Sequence, residues 1–400
     1  MNVIPEIAEA HDEIQSLRRW MHAHPELGFQ ETQTADLIAK TLTGWGIEVH
    51  RGLGRTGVVG VLRAGTGTRS IGLRADMDAL PIQERNEFAH RSQYPGRMHA
   101  CGHDGHMAML LGAARYLSRT RNFDGTIVFI FSPAEEAGSG AKVMVDEGLF
   151  EKFPVGAVFG LHNWPGMPAG NFGIRPGTIM ASSGEFHIRI IGVDAHAAAP
   201  HNGKDSLFAG VQIVNALQGI ITRNKKPVDA AVLSVTHFQA GGGATNVIPE
   251  ITTVAGTVRA QSISILDFIA SRMKSVVESL AAAHECQVEF KFVRSCPPTV
   301  NTPDETCFAV QVMETIVDRA NVDTNVDLDM GVEDFAYMLL ARPGAYAFLG
   351  IGNGEHREHG HGSGPCLLHN ASYDFNDKVL GVGSTYWVEL AHRWLNTSRD

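Results

Sequence analysis

Apolar positions at the start of the chain recur at helical spacing: Ile7, Ile14, Leu17 and Met21 share one face. The pattern stops at His24-Pro25-Glu26, where the proline pushes the residue before it out of the helical region. A second amphipathic helix is predicted over residues 32–42, closing at Gly44 or Gly46. Two short strand-like runs follow, residues 58–62 and 71–78, and the second passes from apolar residues into Asp76 and Asp78. Residues 107–117 carry helical periodicity. Residues 126–131 are an unbroken apolar run of the kind buried on both faces, and it stops at Ser132-Pro133-Ala134-Glu135-Glu136. Residues 155–161 form another strand, ending in His162-Asn163. Three strands that end in acids or histidine, with helices between them, predict an α/β domain whose polar groups gather at the carboxyl edge of a sheet.

From about residue 183 the rhythm changes. Strand 184–193, helix 205–222, strands 230–238 and 250–259, helix 266–284 and strand 287–293 follow in order. This is β-α-β-β-α-β, the split ferredoxin-like arrangement. A unit complete in itself is most simply an insertion, so residues 183–295 are expected to interrupt the α/β domain formed by 1–182 and 296–400. The chain then returns to helix (304–320), a short helix (334–340), strand (345–349), a Gly/His-rich loop and a closing helix (379–395). No internal repeat is visible.

Composition narrows the function classes. The formal net charge of −10 argues against nucleic acid or an anionic membrane as partner, and no apolar run is long enough to span a bilayer. The N-terminus lacks a basic stretch followed by an apolar one, so no secretory signal is predicted. Five dispersed cysteines without Cys-x-x-Cys argue for a reducing compartment, hence the cytoplasm.

The candidate chemistry centres on His99-Ala100-Cys101-Gly102-His103-Asp104-Gly105-His106, which opens the helix at 107. A thiol and imidazoles separated by glycine suit a metal ion, and a helix N-terminus beside Cys101 is expected to favour its thiolate. A solvated loop with a free cysteine is the plainer reading of this stretch alone; the partners further along decide against it. Glu135-Glu136 follows an apolar strand and a proline. If the chain is extended there, the two side chains face opposite ways, one toward a metal and one toward water. His162 and His369 also follow strands or lie in glycine-rich loops.

Several motifs together resemble the M20 metallopeptidase/amidohydrolase family, in its branch of hippurate hydrolases and auxin-conjugate hydrolases. They are His22-Ala23-His24-Pro25-Glu26-Leu27-Gly28-Phe29, Arg74-Ala75-Asp76-Met77-Asp78-Ala79-Leu80-Pro81, the Cys101 stretch, Pro133-Ala134-Glu135-Glu136, Gly160-Leu161-His162-Asn163 and Leu368-His369-Asn370. They stand in the right order from Arg18 to the closing helix. The resemblance implies two divalent ions (zinc, manganese, cobalt or nickel) held by Cys101, His103, Glu136, His162 and His369. Cys101 would bridge them, Glu135 would be the general base, and Asp78 would orient a metal-binding histidine. In the wider family the position two before Asp78 is a histidine ligand; this chain carries Asp76, a departure for which Cys101 compensates. The resemblance also implies a dimerisation domain, with His196, Asn246 and Arg259 contacting substrate, often in the partner's site. His201 is a weaker match than His196.

The expected activity is therefore amide hydrolysis of N-acyl or N-aroyl amino acids by a homodimer or higher homo-oligomer. The alternatives are a carboxypeptidase or dipeptidase of the same fold, or a non-catalytic metal-binding protein. A dipeptidase must also grip a free α-amine, for which the sequence offers no assignable acid, and a storage site needs no base such as Glu135. Glu355-His356-Arg357-Glu358-His359-Gly360-His361 lies outside the motifs and is expected to be a mobile loop. The acids of Gly331-Val332-Glu333-Asp334-Phe335 are expected to support the site or a helix start.

Overall fold

The structure is a computed structural model that describes residues 1–396. The chain divides into two compact units, one of Met1–Ile179, Val300–Asp327 and the segment from Asp334 onward, the other of Met180–Thr299 with Leu328–Glu333.

The first unit is built on an eight-stranded mixed sheet. Its order is Glu48–Arg51, Val58–Ala64, Gly125–Ser132, Ser70–Asp76, Ala157–Pro165, Gly344–Gly352, Phe172–Gly173, Val322–Asp323. Gly125–Ser132, Ser70–Asp76, Ala157–Pro165 and Gly344–Gly352 are mutually parallel. Their side chains are buried almost without interruption, as strands covered on both faces must be. Parallel strands bring their carboxyl ends to one edge, so Asp76, Ser132 and His162 arrive on the same side. On the other flank, Glu48–Arg51 and Val58–Ala64 form a hairpin that joins Gly125–Ser132 antiparallel.

The helix His103–Thr120 begins at that carboxyl edge and is buried along most of its length. Ser384, in the helix Leu380–Asn396, donates to the Met109 carbonyl at 2.9 Å. A side chain at Gly105 would meet the Phe375 ring at 2.3 Å, so only glycine lets the first turn of His103–Thr120 approach that ring.

Element ends differ from the periodicity. The first predicted helix is two, Pro5–Glu9 and His11–Ala23, jointed at Ala10. Ile7 and Ile14 are two turns apart, a spacing the same in a continuous helix, so the joint leaves no mark on the pattern. Ala157–Pro165 runs past the predicted end, which makes His162 and Asn163 strand residues. The helix predicted over 304–320 ends at Ile316, where Val317 turns extended (φ −128°, ψ 160°).

In the second unit four antiparallel strands lie in the order Ala231–Ala240, Ile251–Ala260, Ser182–Ile191, Gln287–Cys296. With helices Ser206–Gly219 and Ile263–Ala283 this is the ferredoxin-like order. Alternate residues of Ile251–Ala260 are buried, and Val254 and Val258 pack with Phe186, Ile213, Leu266 and Met273. Asp205 and Ser262 cap the two helices by accepting from Phe208 N and Ile265 N. Among the described residues no helix is long and apolar enough to cross a membrane.

Candidate metal centre

Four segments deliver donor atoms to one place at the carboxyl edge of the first unit's sheet. Gly102, with φ +90°, is the N-cap of His103–Thr120 and leaves Cys101 just outside it. The strand Ala157–Pro165 supplies His162, whose Nε2 lies 3.5 Å from Cys101 Sγ. The turn after Gly125–Ser132 supplies Glu136, whose Oε1 is 3.2 Å from His369 Nε2 and 4.0 Å from His103 Nε2. His369 sits in the left-handed region (φ +60°), held there by its N–H donating to the Ala100 carbonyl at 2.8 Å. Donor atoms of Cys101, His103 and His162 fall within 4.8 Å of one another, as do those of Cys101, Glu136 and His369, and those of His103, Glu135 and Glu136. Cys101 belongs to two of these groups. The structure thus brings together Cys101, His103, Glu135, Glu136, His162 and His369.

The donor set fits metal ions. Neither nitrogen of His103, which is fully buried, nor Glu136 Oε1 makes a hydrogen bond of good geometry, although Asp78 Oδ1 and His369 Nε2 stand 3.5 and 3.2 Å away from them. Buried polar atoms are rarely left so, and imidazole, carboxylate and thiol groups converging at these distances suit cations. A further group, Asp76, His103 and His106, is otherwise committed. Asp76 Oδ1 contacts His106 Nδ1 at 2.6 Å and Oδ2 accepts from Arg74 Nη1 at 2.9 Å. Position 76 therefore serves neighbouring side chains.

Charge is arranged around this gap. Burial alone would lower the His103 pKa, but Asp76, Asp78 and Glu136 push it up to about 10. Burial, then Glu136, Glu135 and Asp76, hold the Cys101 thiol well above its usual range. This corrects the expectation that the helix end favours thiolate, since in the protein alone burial and three carboxylates outweigh a partial positive charge. Only an added cation reverses that balance.

The local fold of Glu135-Glu136 also departs from expectation. Ala134 takes φ +51° and Glu135–Gly138 is a single helical turn, so the two carboxylates do not alternate across an extended chain. Asp78 holds that turn: its two oxygens accept from Glu135 N at 2.9 Å and Glu136 N at 3.0 Å. Asp78 Oδ1 also lies 3.5 Å from His103 Nδ1. One carboxylate thus aligns a candidate base and a candidate ligand.

The loop around His356 and His361 is tied down. His361 Nε2 lies 3.0 Å from Asp374 Oδ2, Glu87 N donates to Gly360 O at 2.6 Å, and Gly362 N to Asn86 Oδ1 at 2.9 Å. Sequence periodicity gave no sign of these contacts, because Asn86 and Glu87 lie far away in sequence. Asp334 accepts from Arg74 Nη2 at 2.7 Å and from Ala141 N at 2.8 Å, a supporting position. Sequence reasoning placed Arg74, His106 and Asn163 within motifs but gave them no role, and it missed Tyr373. For His106 a signal existed, since it lies one helical turn beyond His103 and on the same side.

In the second unit His196 and Asn246 are neighbours. His196 pairs with Val247 in a two-residue ladder, and Ala197 N donates to Asn246 O at 2.9 Å. Ala198 N donates to His196 Nδ1 at 3.0 Å, so in the neutral ring Nε2 carries the proton. Arg259 stands on Ile251–Ala260, between Val232 and Ser183.

Comparison with known proteins extends these observations. The model of the peptidase family M20/M25/M40 matches residues 72–392. A hippurate hydrolase of Campylobacter jejuni is 40% identical over 395 residues, spanning 99% of this chain and 100% of that protein. The IAA-amino acid hydrolase ILR1-like 5 of Arabidopsis thaliana is 37% identical, spanning 95% of this chain and 86% of its own length. Among solved structures, the YXEP protein of Bacillus subtilis, a dinuclear metal-binding peptidase of the M20 family, superposes with a TM-score of 0.82. It is 31% identical, covering 98% of this chain and 100% of that one.

Proposed function

The chain belongs to the peptidase family M20/M25/M40, and from that membership we propose a metal-dependent amidohydrolase that cleaves N-acyl or N-aroyl amino acids to a carboxylic acid and a free amino acid. The observation that carries the reading is the convergence of Cys101, His103, Glu136, His162 and His369, with buried His103 and Glu136 atoms left without well-formed hydrogen bonds. The substrate class follows the names of the hippurate and IAA-amino acid hydrolases to which the chain is similar.

In this reading those five residues would hold two divalent ions, zinc, manganese, cobalt or nickel, with the Cys101 thiolate as the ligand that would serve both. When bound, the ions polarise the amide carbonyl and lower the pKa of a water. Glu135 takes a proton from that water and returns it to the leaving nitrogen, which is too basic to depart as an anion. Asp78 keeps Glu135 and His103 in register. His196 Nε2–H and the Asn246 amide donate to the carbonyl oxygen as charge builds there, and Arg259 grips the carboxylate of the amino-acid half. The smaller unit also serves as a dimerisation surface. The free state of all five cysteines supports a cytoplasmic setting.

The test is a panel of hippurate, acetyl- and indoleacetyl-amino acids and free dipeptides, each with metal-loaded and chelator-stripped protein. Turnover of the acylated substrates that vanishes on stripping is expected. Preferential cleavage of free dipeptides would move the protein to the peptidase alternative.

A further inference from the structure

Asn163 takes no part in the chemistry above, yet it is fully buried beside the site, and the hydrogen bonds around it can be assigned direction atom by atom. The Asn163 backbone N–H can only donate, and it meets His106 Nε2 at 3.0 Å. His106 Nε2 is therefore an acceptor, and its proton sits on Nδ1, 2.6 Å from Asp76 Oδ1. One Nδ2 hydrogen of Asn163 shares the same acceptor at 2.9 Å, and the other goes to the Cys101 carbonyl at 2.6 Å. Asn163 Oδ1 accepts from the Tyr373 hydroxyl at 2.5 Å. Its main-chain carbonyl accepts from His162 Nδ1 at 2.7 Å. That leaves His162 Nε2 bearing a lone pair toward Cys101 Sγ.

We propose that Asn163 is a positioning residue for the metal centre: its side-chain amide fixes the backbone that carries Cys101 and, by anchoring the residue, sets its main-chain carbonyl to fix the tautomer and ring of His162. The inference rests on the ligand assignment made above. Two other segments meet on this one side chain, the stretch 101–106 and the segment after His369, because Tyr373 lies four residues beyond His369 and His106 one turn beyond His103. The network also gives the glycine of Cys-Gly-His a reason. A Cβ at Gly102 would come within 2.4 Å of both Asn163 Nδ2 and Tyr373 Oη. The backbone at position 102, already left-handed, leaves no room for a side chain beside the amide and the phenol.

Asn163→Asp keeps shape and removes the donors, setting carboxylate oxygens against the Cys101 carbonyl and an imidazole lone pair. Tyr373→Phe removes one hydroxyl and keeps the ring. The experiment loads the protein with cobalt(II) and reads two things besides turnover: the thiolate-to-cobalt absorption band and the cobalt affinity by chelator competition. Wild-type and Cys101→Ser proteins are run alongside, and metal-free melting reports folding. Expected is a shifted or weakened band and an affinity about tenfold to a hundredfold lower in Asn163→Asp, with a smaller loss of the same kind in Tyr373→Phe. If Asn163→Asp does not fold, Tyr373→Phe decides by the same readouts. Wild-type band and affinity in the folded variants overturn the proposal. Absence of the band from wild-type protein overturns the ligand assignment instead.

Discussion

Glu135 and Glu136 start a helical turn next to each other, so their separate roles come from what each faces. Glu136 Oε1 stands between the His369 and His103 imidazoles at 3.2 and 4.0 Å, which supports the proposal of Glu136 as the ligand and Glu135 as the base. Glu135→Gln should retain metal near the wild-type level while turnover falls on the order of a hundredfold or more, measured as metal content beside kcat. Glu136→Gln should lose metal and activity together; the opposite pattern would exchange the two roles. Cys101→Ser should weaken metal binding, and the wild-type thiol should resist alkylation when loaded and react when stripped. At this scale the sequence was legible wherever several chemical groups stood close along the chain. It misled where backbone conformation decided, because nothing in Pro133-Ala134-Glu135-Glu136 announces a left-handed alanine.

Among the elements, the helix His11–Ala23 shows how a motif far from the metal centre supports it. Arg18, fully buried, reaches Asp104 at 3.2 Å, Asp374 at 3.1 Å and Asp377 at 2.7 Å. It thereby ties the first helices to the start of His103–Thr120 and to the segment after His369. Removing a buried charge strands its partners, so Arg18→Met should cost about 3–5 kcal/mol of stability, read as a lower urea midpoint. His22 in the same helix contacts Asp104 at 2.8 Å and Glu84 at 3.2 Å. Burial alone would lower its pKa, but these acids raise it to about 10. A folded pKa above the unfolded value of about 6.5 means the unfolded chain releases its proton first as pH rises. The contribution is thus complete below about pH 6.5 and fades toward about pH 10. The difference in urea midpoint between wild type and His22→Gln should follow that curve, and a flat difference would remove His22 from the ion network. Such long-range pairings are invisible to periodicity, which found the long helices and central strands, misplaced their ends and missed the short helices Gly140–Asp146 and Leu149–Lys152.

At the scale of the whole molecule, two independent cores lie along one chain, and the insertion was legible because a complete β-α-β-β-α-β unit needs nothing outside itself to bury its apolar face. Its polar residues were legible only through resemblance, since a strand-end arginine and a turn asparagine are ordinary by themselves. Physical argument asks for a cation, and resemblance offers Arg259 for that part. An N-acyl amino acid carries a carboxylate that the acid-rich metal centre repels, so recognition needs a fixed cation elsewhere. Arg259→Ala should then raise KM for N-acyl amino acids by the loss of a charge-assisted pair, about 1.5–3 kcal/mol or roughly tenfold to a hundredfold. Amides lacking the carboxylate should be nearly unaffected. If His196 serves a partner's centre, a subunit with Glu135→Gln and one with His196→Ala each lack what the other supplies. A mixed dimer then holds one site with both groups intact, so mixing the two inactive proteins should restore part of the activity. Verified heterodimers that stay inactive would confine His196 to its own subunit or remove it from the reaction.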